Sequence, residues 1–141
     1  MKARTILSSL FFLLLTSTWP LMAQDSYMFK HLDTKNGLSN SQVNYIFKDS
    51  KGFMWFGTAS GLNRYDGYNY KIFRHKESIG HSIADNFVDL IQEDADGNLW
   101  IHTGVGYVFF DSKKEVFVNN LAEIMKGFGI NHIPSVVYID E

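Results

Sequence analysis

Apolar and polar residues alternate in short runs along residues 43–73, and glycine and aspartate separate the runs. Val43, Tyr45 and Phe47 alternate with Asn44, Ile46 and Lys48, which predicts a strand that is apolar on most of both faces, as in a buried strand. Asp49-Ser50-Lys51-Gly52 then reads as a tight turn, because aspartate bonds its own backbone two residues on and glycine accepts a positive φ. A second strand is expected over Phe53 to Gly57, a turn at Ala59-Ser60-Gly61 and a third strand over Leu62 to Tyr65. Asp66-Gly67 turns again, and Tyr70 to Phe73 completes a set of four.

The set is then repeated. Val43–Phe73 aligns without a gap on Val88–Val118, and eight of the 31 positions are identical: Val43/Val88, Ile46/Ile91, Asp49/Asp94, Gly52/Gly97, Trp55/Trp100, Thr58/Thr103, Gly61/Gly106 and Asp66/Asp111. Four strands in about 45 residues is the period of a β-propeller blade. The expected fold is therefore all-β, with four-stranded antiparallel blades at 43–87 and 88–133. Residues 24–42 form an N-terminal strand, Phe29 to Leu32, and a lead-in loop. Residues 134–141 begin a third copy and stop where its glycine turn is due, so the ring is incomplete and the chain reads as a piece of a longer protein. Trp55 and Trp100 fall mid-strand, where a large ring wedges between neighbouring blades, and Thr58 and Thr103 suit strand ends. Two blades without neighbours would leave apolar faces and strand edges open, and so would fold only marginally.

Residues 1–23 differ from the rest. Lys2 and Arg4 precede an apolar run from Ile6 to Leu15, and Leu21-Met22-Ala23 offers a small residue for cleavage. This is the layout of a signal peptide, and the run is short of the ~20 residues of a membrane span. Removing it takes away two bases and no acid, so the net charge moves from −2 to −4, and no basic patch points to nucleic acid. The chain has no cysteine, which excludes disulfides, thiolate metal sites and a cysteine nucleophile.

Ile46, Asp49, Gly52, Trp55, Gly57, Thr58, Gly61, Leu62, Tyr65 and Asp66 together resemble the two-component regulator propeller repeat. Phe29-Lys30-His31-Leu32 followed by Asn36-Gly37-Leu38-Ser39 resembles the usual start of such sensors. The second copy departs from the pattern, with His102 in place of Gly57, Tyr107 in place of Leu62 and a bulkier Val105 before Gly106. The resemblance implies the N-terminal periplasmic sensor region of a hybrid two-component histidine kinase. It implies partners in the remaining blades and the kinase, an oligosaccharide ligand and a homodimer of the full-length sensor. The kinase activity is carried by no residue here. An exported propeller lyase or hydrolase acting on polysaccharide is the alternative.

No catalytic set is visible: Ser60 lies outside any nucleophile motif, and Glu93 and Asp94 are neighbours that a strand points apart. Asp94-Ala95-Asp96-Gly97-Asn98 lacks the distal glutamate of a calcium loop, and the first copy places Lys51 where a ligand would be. No metal and no cofactor are expected. Ligand contacts are expected from the long connections 33–42 and 76–86, through Asn40, His81, Asp85 and Asn86, and from His102 beside the second hairpin turn.

Overall fold

The computed structural model describes residues 29–131, and the expected signal peptide and third copy lie outside them. The chain divides into two compact units, residues 1–30 and 31–141, and every element below belongs to the second. Among the described residues a 3₁₀ turn at Thr34–Asn36 precedes eight strands. The first sheet is β1 (Val43–Lys48), β2 (Met54–Thr58), β3 (Gly61–Tyr65) and β4 (Tyr70–Phe73). The second is β5 (Val88–Glu93), β6 (Leu99–Thr103), β7 (Gly106–Asp111) and β8 (Val116–Val118). Each is an antiparallel meander in sequence order, and each bulges at the same place, Val43/Tyr45 and Val88/Leu90. These are two propeller blades with one sheet plan.

The shared residues explain the shared plan. The Asp49 carboxylate accepts from the amides of Lys51 and Phe53 through Oδ1 and from Trp55 Nε1 through Oδ2, at 2.7–3.0 Å. Asp94 does the same for Asp96, Asn98 and Trp100. One carboxylate therefore closes the turn and fixes the indole six residues on, while Gly52 and Gly97 supply the positive φ the turn needs. At the other end of the strands, Thr58 Oγ1 donates to Gly61 O and Thr103 Oγ1 to Gly106 O, clamping each β-hairpin.

Packing falls into three layers. Trp55, Leu62, Tyr45 and Phe47 meet Ile91, Leu99, Ile101, Val108 and Phe110 between the two sheets, with Ile83 of the connector sealed among them. The opposite face of the first sheet, at Phe56 and Tyr65, is covered by Leu32 and Leu38 of the lead-in. Trp100, Tyr107 and Phe109 on the far face of the second sheet are covered by a helix, α1 (Leu121–Gly127), through Leu121, Ile124 and Met125.

Two expectations change, while the strand expected at 29–32, which would complete a last blade that this chain does not contain, has no ladder partner among the described strands. β1 is not a buried strand: Ile46 is 57% exposed, whereas its copy Ile91 is fully buried beneath the first sheet. The open faces are also partly closed, one by the lead-in and one by α1. The helix was legible in the 3.6-residue spacing of Leu121, Ile124, Met125 and Phe128.

Candidate functional site

The segments entering β1 and β5 lie at the same end of the sheets as the β2–β3 and β6–β7 turns, and four of the five expected ligand residues gather there. Asn40 Nδ2 donates to Ser60 Oγ at 2.8 Å, and Asn40 Oδ1 accepts from Gln42 N. Asn86 is the seam between the blades: its carbonyl accepts from Gly61 N at 2.7 Å and its side chain from His75 N at 2.9 Å. Asp85 accepts from Phe87 N, and its carboxylate sits so near Gly104 that a Cβ there would lie 2.9 Å from Oδ1. His81 is exposed beside β8, where its carbonyl accepts from Phe117 N.

His102 lies one residue from the end of β6. Its Nδ1 shares a 2.7 Å hydrogen bond with Asp89 Oδ1, and Tyr107 meets its ring edge-on with centroids 4.8 Å apart. Both partners of the pair are more than a third exposed. His102 and Tyr107 are both departures from the repeat pattern, whereas Asp89 carries no mark in the sequence. The bulge in β5 was the missing signal, since it aims Asp89 at its cross-strand neighbour.

The opposite end has different chemistry. A cavity of about 500 Å³ opens between β1 and β5, lined by Tyr45, Phe47, Lys48, Ser50, Gln92 and Glu93 among others. Gln92 Oε1 is buried there without a partner. Asp49, Asp66, Asp94 and Asp111 all commit carboxylate oxygens to their own turns. Backbone donors from Asn69 and Tyr68 hold the Asp66 carboxyl below its usual range, and the Lys114 amide and ammonium do so for Asp111. On the outer edge Glu115 meets Arg64 at 2.6 Å and also Lys71, and these two hold its pKa down at about 2. Burial pushes the Tyr70 phenol up, and its hydroxyl has no partner.

Two in-phase blades, each built on an aspartate–tryptophan turn and a threonine-clamped hairpin, define a propeller-repeat protein. Residues 37–60 and 82–104 each match the two component regulator propeller model. A histidine kinase of Formosa agariphila is 42% identical over 65 residues, covering 45% of this chain and 5% of the kinase. The extracellular domain assigned to a hybrid two component system of B. thetaiotaomicron superposes with a TM-score of 0.52 and 26% identity. That match covers 66% of this chain and 13% of that one. The chain thus spans a small fraction of each protein it matches. Among the described residues no helix is long and apolar enough to cross a membrane.

Proposed function

We propose that this chain is part of the extracytoplasmic sensor region of a hybrid two-component system, exported by residues 1–23 and coupled to a histidine kinase. The observation that carries the reading is the pair of in-phase matches to the two component regulator propeller, folded as two successive blades. The kinase relative and the extracellular structural neighbour support the same placement. The ligand in this reading is an oligosaccharide. It is met at the end that carries Asn40, Asp85, Asn86 and His102, whose amide, carboxylate and imidazole groups offer both donors and acceptors to sugar hydroxyls. The role is recognition, with partners in further blades, the kinase and a second sensor subunit.

The test is direct. The full-length gene would be tested in its host with a transcriptional reporter and a panel of oligosaccharides cut from plant, algal and host polysaccharides. Calorimetry on the exported region would follow with any oligosaccharide that induces. Induction by one glycan, abolished by in-frame removal of residues 37–118, is the expected result. Unchanged responses after that removal, with no binding to any member of the panel, would overturn the reading. An alkaline phosphatase fusion after residue 131 should be active outside the cytoplasm.

A further inference from the structure

The face that the first sheet turns toward the second is tied across the seam at many points. Asn44 Nδ2 donates to Val88 O at 3.0 Å, Ser50 donates through N and Oγ to Glu93 at 2.8 and 2.7 Å, and Arg64 and Lys71 hold Glu115. Gly57 lets Val88 come so near that a Cβ would lie 2.8 Å from its Cγ1. The connector is tied as well: His75 Nδ1 to Ile83 O, Asn119 Nδ2 to Ser82 O, Phe117 N to His81 O.

The second sheet keeps none of these residues on its corresponding face. Asn44, Ser50, Gly57, Arg64 and Lys71 become Asp89, Ala95, His102, Phe109 and Val116. Asp89 is turned inward to His102, and the imidazole stands where the first sheet is bare. The connector at this position is α1, seven residues long, packed through Leu121, Ile124 and Met125, with no side-chain cap at Asn120. A helix of that length has no stability of its own.

We propose that the two sheets and their connector move as one rigid body and that the seam on the far face of the second sheet is the compliant one. There α1 lifts from Trp100 in sub-global openings, and a rearrangement passing along the array is taken up at that seam. This goes beyond the sensor reading and stands without it. Native-state hydrogen exchange on the full chain tests it. Gly61 N, which bonds across the first seam, should exchange only with global unfolding. Phe128 N and Ile130 N, bonded back into α1, should exchange on the order of a hundredfold faster, through local opening. Equal protection would overturn the proposal. Placing the second copy's residues in the first, by Asn44→Asp with Ser50→Ala, should lower Gly61 protection on the order of tenfold while the β2–β3 ladder keeps its own. Gly61 protection that does not move would equally overturn it, since the ties would then not hold the seam.

Discussion

The two blades share a backbone plan and differ in what they bury. In the first, Asn63 is fully buried and polar: its Nδ2 donates to Ser39 Oγ, Phe56 O and Gly61 O, and its Oδ1 accepts from Ser39 N. In the second, the same two positions are Val108 and Ala84, both packed in the apolar core. A satisfied polar pair and an apolar pair thus solve one packing problem, and half of either would not. The repeat fixes turns and clamps, while the interior is free to change as long as both partners change together.

The largest test of that comparison exchanges the residues at the hairpin exit. Gly57→His puts a side chain where even a Cβ meets the backbone oxygen of Val88 at 3.0 Å, so β5 must retreat. A loss of about 3 kcal/mol or more is expected, above the usual cost of overpacking. His102→Gly removes one hydrogen bond and adds backbone freedom, for about 1–2 kcal/mol. Urea denaturation of both variants measures the asymmetry, and equal losses would show that the two seams are alike.

Next come the turn aspartates. Asp49→Ala strands the indole N–H of Trp55, which is 1% exposed, and should cost about 3 kcal/mol. Asp94→Ala should cost about half as much, because the bond to Trp100 is longer at 3.3 Å and less buried. Thermal melts of the pair give the ratio.

The polar pair offers a cleaner measure. Asn63→Val alone leaves Ser39 N and Phe56 O without their partner and should cost about 2 kcal/mol. Adding Ser39→Ala gives the second copy's pair and removes the hydroxyl that Asn63 Nδ2 meets, so the double variant should cost about 1 kcal/mol less than the sum of the single ones, a coupling that a double-mutant cycle reads directly. Strict additivity would show that the two residues do not act together.

Much of this was legible in the sequence, and the boundary has a physical cause. Asp49, Gly52, Trp55, Thr58 and Gly61 announce a blade because each makes a contact within six residues of itself, and such contacts repeat whenever the spacing does. Residues that act across the seam carry no such local mark. Asn40, Asp85 and Asn86 were chosen for their chemistry, and each also has an architectural bond: Asn40 to Ser60 and Asn86 to Gly61 and His75 tie separate segments, while Asp85 accepts from Phe87 N two residues on. Asp89 was passed over because its partner is His102, thirteen residues away across a bulged pairing. The helix over Trp100 was hidden by carrying the first copy's loop onto the second, although its apolar spacing was already in the chain.

The smallest effect is also the one that pH separates. Glu115 sits in the β7–β8 turn with φ +56° and bridges to Arg64 and Lys71 of the other sheet, whereas its counterpart in the first copy is the uncharged Tyr70. The hydrogen bond from Lys71 and then that from Arg64 lower its pKa from 4.5 to about 2. A depressed carboxyl stabilises the folded state above its unfolded pKa, and that stability fades as pH falls from 4.5 toward 2. The full linkage value does not apply, because the Glu115 side chain is 39% exposed and water and salt screen it. Glu115→Gln should therefore cost about 0.5–1 kcal/mol at pH 7 in low salt, less in molar salt, and nothing near pH 2. Asp66, in the matching turn of the first copy's outer hairpin, is held down by uncharged donors, first the backbone amides of Asn69 and Tyr68, so the effect of Asp66→Asn should also fade in acid but show no dependence on salt. Salt sensitivity confined to Glu115 would place the charged clamp between the blades. Equal sensitivity at both would reduce it to an ordinary turn.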